Sequence, residues 1–184
     1  MVEDLCFHLL DLVQNSVAAG ARTIRLDIRE SAARDSLVLT VADDGRGMDR
    51  PTRLRVQDPF FTSKSFKKVG LGIPLLKATT QACRGDFRIT SRPGQGTRVR
   101  ARLQKSHFDC PPMGDLEGTL LSLLATLDGV DLRFSYRSER GSFSLAADDV
   151  RAQAGGLHLS HPDVYGFLRN YIHEGLGPLL VPAG

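Results

Sequence analysis

Asp11 and Asn15 stand four residues apart, one helical turn, so a carboxylate and a side-chain amide reach toward the same ligand. Asp43-Asp44-Gly45-Arg46-Gly47 sets a carboxylate before two glycines, an arrangement that lets a flat ring approach the backbone closely. Lys64, Lys67 and Lys68 lead into Gly70-Leu71-Gly72, where glycines precede a helix whose first N–H groups are free to meet an anion. A cation-rich segment, glycines and a helix start are what a polyphosphate needs. Each fragment alone is ordinary turn or surface vocabulary. Gly70-Leu71-Gly72 is not a P-loop, because no Gly-Lys-Ser/Thr follows it. What carries information is the order of the fragments along one chain.

The elements that must hold these residues follow from periodicity. Leu5, Leu9, Val13 and Val17, widened by Cys6, Leu10 and Leu12, predict a helix over 4–19 with His8, Asp11 and Asn15 on the face away from the core. Ile24, Leu26 and Ile28 alternate with Arg25, Asp27 and Arg29, the period-2 pattern of a strand, and a second strand over 37–42 delivers Asp43. Residues 49–69 lack steady periodicity and read as a long functional loop. A helix over 71–83 and strands over 86–92 and 97–104 complete the first part. After Cys110-Pro111-Pro112 the pattern predicts an apolar helix over 116–127, a hairpin over 130–146 and an amphipathic helix near 164–173.

The 184 residues suffice for a real core, and 41% hydrophobic with 24% charged residues excludes a disordered chain. No apolar run is long enough to span a membrane and no secretory leader opens the chain, so a cytoplasmic protein is expected. Cys6, Cys83 and Cys110 are an odd set without CxxC spacing and read as reduced thiols. His107 and Asp109 beside Cys110 lack a fourth ligand, and no metal centre is expected from them. Charge is uneven. Residues 1–105 hold 19 Lys and Arg against 11 Asp and Glu, and residues 106–184 hold 5 against 10. That split predicts two parts, 1–105 and 106–184, the second packed on the first through Leu116, Leu120, Leu123 and Leu124 with its acidic residues meeting the arginines. Arg25, Arg29, Arg88, Arg98, Arg100 and Arg102 alternate with apolar residues and share one sheet face. With no aromatics interleaved for stacking, the reading favours a protein partner over nucleic acid.

Taken in order, the motifs resemble the nucleotide-binding domain shared by gyrase-type topoisomerases, heat-shock chaperones, histidine kinases and mismatch-repair ATPases, the GHKL group. Residues 10–21 are most similar to the first motif of the mismatch-repair branch, and Val41-Ala-Asp-Asp-Gly-Arg-Gly-Met48 matches the shared second motif. Asp58-Pro-Phe-Phe-Thr-Ser-Lys64, Gly70-Leu-Gly-Ile73 and the closing residues 96–103 look like histidine kinase boxes. The resemblance implies a Bergerat-type α/β sandwich of the α+β class: a mixed, mostly antiparallel sheet with helices on one face, and a small carboxyl-terminal subdomain. It implies ATP and magnesium as ligands. Asn15 would hold the magnesium, Asp43 would accept the adenine amino group, and Gly45 and Gly47 would let the base lie against the backbone. Lys64 would approach the terminal phosphates, Gly70, Leu71 and Gly72 would frame the triphosphate, and Thr97 would lie near the adenine.

Departures from the pattern matter equally. Hydrolytic members carry glutamate four residues before the magnesium asparagine, and here that position is Asp11, one methylene shorter, which predicts slow hydrolysis at most. Lys68-Val69 replaces the Gly-Thr that opens the kinase glycine box. Only three residues precede the first helix, so a phosphoacceptor hairpin is not expected, and His8 inside the nucleotide helix does not replace it. The expected function is a Mg-ATP-binding regulatory domain whose nucleotide state orders a lid and controls a protein partner. The alternatives are a slow ATPase using Asp11 as general base or a kinase acting on a partner, and not a self-phosphorylating histidine kinase.

Overall fold

Apolar alternation in four segments of the first half produces four strands of one sheet. These are β1 (Thr23–Ser31), β2 (Ser36–Asp43), β3 (Asp86–Ser91) and β4 (Thr97–Gln104). The structure is a computed structural model describing residues 4–58 and 72–180. Around the strands lie α1 (Leu5–Ala18), α2 (Arg50–Arg55) and α3 (Gly72–Ala82), followed by α4 (Leu116–Thr126), β5 (Asp131–Ser138), β6 (Gly141–Ala146), α5 (Ala147–Gln153) and α6 (Pro162–Leu180). The strand order is β3-β4-β2-β1-β5-β6, antiparallel throughout except that β5 runs parallel to β1, with Ile24 opposite Leu132 and Ile28 opposite Tyr136. This is the expected mixed, mostly antiparallel sheet with a helical layer.

The inward face of the sheet carries Ile24, Leu26, Ile28, Leu39, Val41, Val99, Ala101, Leu103, Leu132, Phe134 and Tyr136, all buried. Onto it α1 sets Leu5, Leu9, Leu12 and Val13, and full burial of each such side chain is worth about 1.5–3 kcal/mol. Asp4 caps α1, accepting the Phe7 N–H at 2.9 Å. The carbonyls of Pro112 and Met113 accept the Leu5 and Cys6 N–H groups, both at 3.0 Å, so the segment after the two prolines satisfies donors that a helix start leaves free. Beyond it Leu116, Leu120, Leu123 and Leu124 of α4 are buried together with Val164, Leu168, Ile172 and Leu176 of α6.

Several expectations need correction. The α1 face that carries His8, Asp11 and Asn15 turns away from the sheet as expected, but α3 packs against α1 there and His8 is completely buried, while Val17, expected inside, is 41% exposed. The region read as a loop contains α2, capped by Asp49, which accepts the Thr52 N–H at 2.9 Å, with Pro51 in the first turn. A six-residue helix is too short to show a period. In the second half α5 was not foreseen, because Ala146 at its cap offers no side-chain acceptor. Its anchor is Arg151, which donates to the Leu127 and Val130 carbonyls, both at 2.9 Å. The last helix runs past 173 to Leu180, and Gly175 within it lies against the Phe143 ring, where a Cβ would be 2.4 Å away.

The arginines did not find the expected acidic cover. The second half extends the sheet sideways and adds Arg133 and Arg137 to the same uncovered face as Arg25, Arg29, Arg88, Arg98 and Arg102, all exposed. Among the described residues no helix is long and apolar enough to cross a membrane.

Candidate functional site

Asp43 ends β2 in register with Thr97, the first residue of β4, and with Ile24 of β1. Its carboxylate is held by three donors. Oδ1 accepts the N–H of Gly45 at 2.9 Å and of Thr97 at 3.2 Å, and Oδ2 accepts the Ser16 hydroxyl at 2.8 Å. A carboxylate has about four acceptor sites, so Oδ2 keeps one for a ligand donor. The neighbouring Asp44 does different work. It accepts the Thr23 N–H at 2.9 Å and the Arg22 N–H at 2.7 Å, and these bonds hold its carboxyl below the ordinary aspartate range while they pin the start of β1.

The turn after Asp43 is held by close packing. Gly45 lies against α1, where a Cβ would sit 2.9 Å from both Ala19 Cβ and Ala19 O, and Arg46 N–H donates to Ala19 O at 2.9 Å. Gly47 adopts φ +66° and faces the backbone of the β3–β4 turn, where an added Cβ would fall 1.9 Å from the Arg92 carbonyl oxygen. Gly96 at φ +76° approaches the Asp43 carbonyl in the same way. Gly47→Ala is therefore expected to cost about 1–2 kcal/mol for the left-handed backbone alone, with the clash added. Thermal unfolding checks this, and an unchanged Tm contradicts it. Ser91 knits the turn to the strand: its hydroxyl accepts the Met48 N–H at 2.8 Å and lies 2.9 Å from the Thr97 hydroxyl.

These residues open on a cavity of about 550 Å³. Leu12, Val41, Met48, Val56, Ile73 and Val99 supply apolar walls, and Asn15, Ser16, Asp43 and Thr97 supply polar groups. Apolar walls with a few convergent polar atoms suit a flat heteroaromatic ring. Asn15 contributes a buried side-chain nitrogen that has no hydrogen-bond partner among the described residues. The two ends of an amide are assigned from such networks, so Asn15 presents a neutral oxygen or N–H to whatever occupies the cavity. A neutral oxygen ligand fits magnesium, which takes few protein ligands beside phosphates and water.

Of the residues singled out by sequence, the structure gathers Asn15, Asp43, Gly47 and Thr97 around one cavity, with Gly45 behind the Asp43 carboxylate. Asp11 and Gly72 touch each other, a Cβ on Gly72 lying 2.6 Å from Asp11 Cβ, so the carboxylate stands beside the first described residue of α3. Lys64, Lys67, Lys68, Gly70 and Leu71 lie outside the described residues. Ser16 and Ser91, which orient Asp43 and Thr97, were missed. A buried serine in the apolar stripe of α1 was the available signal for Ser16; Ser91 offered none. Burial pushes the Cys6 and Cys83 thiols up to about 11, which leaves them protonated and unreactive near neutrality.

Residues 2–107 match the histidine kinase-, DNA gyrase B-, and HSP90-like ATPase family. The sensor protein kinase FleS of Pseudomonas aeruginosa is 43% identical over 89 residues, which are 48% of this chain and 22% of the kinase. The DNA mismatch repair protein MutL of Anaeromyxobacter dehalogenans is 29% identical over 176 residues, 87% of this chain and 27% of MutL. The chain thus spans less than a third of these relatives. Among solved structures, the N terminal domain of a DNA repair protein shares the fold with a TM-score of 0.51 at 14% identity, over 78% of this chain and 51% of that one.

Proposed function

The chain belongs to the histidine kinase-, DNA gyrase B-, and HSP90-like ATPase family, and from that premise we propose that it is a Mg-ATP-binding regulatory module whose nucleotide state governs a protein partner. The observation that carries the reading is Asp43. Three internal donors fix it at the floor of an apolar cavity with an acceptor site left over, as recognition of an exocyclic amine requires. Asn15 would hold magnesium, Thr97 would lie near the base, and Gly45 and Gly47 keep the turn tight enough for the base to pack. Lys64 would meet the terminal phosphates, with Gly70, Leu71 and Gly72 framing the triphosphate. Magnesium, when bound, would neutralise phosphate charge. Residues 1–105 form the nucleotide part in this proposal and residues 106–184 an appended part.

The regulatory element is the 49–69 segment, whose lysines respond to the phosphates they meet. Calorimetry with MgATP and MgADP tests binding. Limited trypsin digestion at Lys64, Lys67 and Lys68 tests the switch. Slower cleavage with a non-hydrolysable ATP analogue than with ADP is expected, and equal rates remove the lid from the proposal.

A second reading, turnover, rests on the Asp11 carboxylate beside Gly72. A base must come within hydrogen-bond reach of its water, and aspartate reaches less far than glutamate, so hydrolysis would be slow. ADP release that disappears in Asp11→Asn while ATP affinity persists would establish it. Release that continues unchanged in the variant excludes Asp11 as the base. His8, fully buried inside α1, cannot present a phosphate acceptor to solvent.

A further inference from the structure

The uncovered face of the sheet sets arginines directly opposite arginines. Arg25 faces Arg133 and Arg29 faces Arg137 across the parallel β1–β5 pair, and Arg88 faces Arg100 across β3–β4. Neighbouring strands lie about 4.8 Å apart, and opposed like charges at that distance destabilise a sheet. Two of the six have acidic partners: Arg133 pairs with Asp131, and Arg100 lies 3.8 Å from Asp86. Arg25, Arg29, Arg88 and Arg137 have no ion pair among the described residues. Asp27, between Arg25 and Arg29, offsets only part of this charge, so among the described residues the face keeps an excess of unpaired guanidinium groups.

We propose that this face docks an acidic protein segment, a strand or helix presenting several carboxylates about 5–7 Å apart. Charge complementarity commits the face to an anion that guanidinium forks can pair with bidentately, and two features favour carboxylates on a protein over nucleic acid. Among the described residues no aromatic side chain stands between them, so bases would find no stacking platform there. Asp27 sits in the middle of the field, flanked by Arg25 and Arg29 and fixed by the Ser135 hydroxyl at 2.6 Å. A carboxylate there repels a continuous phosphate backbone and accepts a lysine, serine or amide from a protein partner. Around it Arg29, Arg100 and Arg137, together with Glu30 and Glu139, line a shallow depression of about 430 Å³ that also takes in Val38 and Thr40, which gives a side chain somewhere to seat.

The test uses the full chain and poly-L-glutamate as probe. Poly-L-glutamate should bind at low salt and release at high salt, and should raise the Tm, because the ligand relieves the opposed arginines. Arg29→Glu with Arg137→Glu should weaken binding about tenfold or more, since like charges then face the probe. The same variant should melt no lower than the parent, and ATP affinity, as a check on the fold, should not change. Lys77→Glu with Arg169→Glu, the same change in net charge on the helical side, should bind like the parent. Loss in that control equal to the face variant, undiminished binding by the face variant, or no binding by the parent overturns the proposal. So does tighter binding, through the same arginines, of a single-stranded oligonucleotide or of phosphatidylserine vesicles.

Discussion

Asp43→Asn is expected to lower MgATP affinity tenfold or more, measured by calorimetry, with the largest loss in discrimination for adenine over guanine nucleotides. A charge-assisted hydrogen bond contributes about 1.5–3 kcal/mol, and the amide gives up the charge. It also introduces a second problem. The three internal donors, Ser16 hydroxyl, Gly45 N–H and Thr97 N–H, all aim at carboxylate oxygens. An asparagine nitrogen facing any of them sets donor against donor. If the NH2 group turns instead toward the ligand, it meets the adenine amine with the same mismatch. Equal ATP binding by parent and variant, or absence of binding by both at millimolar nucleotide, would remove Asp43 from the site.

Truncation after Asp109 is expected to produce an insoluble or strongly destabilised fragment. Loss of β5 strips the parallel partner from β1 along Thr23 to Arg29 and leaves the backbone groups of that edge unpaired. Loss of the 112–113 carbonyls frees two N–H groups at the start of α1. Loss of α4 uncovers apolar surface on α1, and at about 1.5–3 kcal/mol per buried side chain a few such exposures match the whole stability of an ordinary domain, about 5–15 kcal/mol. A soluble 1–109 fragment with unchanged Tm and ATP affinity would show that residues 110–184 contribute no stability to the first half.

Period and spacing made most of this architecture legible, for physical reasons that also mark where legibility stopped. Strands half-buried on one face advertise themselves by alternation, and Thr97–Gln104 matches its expected span. Short helices do not, so α2 and α5 were missed, one held by a proline and a cap, the other by its own Arg151 reaching the distant Leu127 and Val130 carbonyls. The burial of His8 was not legible, because a buried histidine and a solvated one look alike in sequence; only α3 across from it makes the difference. Asn15, Asp43 and Thr97 were identifiable through motif order, whereas Ser91 acts through a turn that brings it to Met48. The bare arginine face could not be foreseen, since the acidic second half was expected to lie over it. It lies beside it instead.

The parallel pairing of β1 with β5 also bears on the order in which the molecule can be made. Asp27 waits for Ser135, and Ser31 for Glu139, each pair 108 positions apart along the chain. As the polypeptide is made, every residue of the nucleotide cavity is translated before the strand that closes the flank of β1. Until then an unpaired edge is exposed, the condition under which nascent chains stick to one another. Contacts of such long sequence separation form late and slowly. Closure of the β1 flank therefore waits on translation of β5, and the interval before it is the one in which a chaperone would shield the open edge.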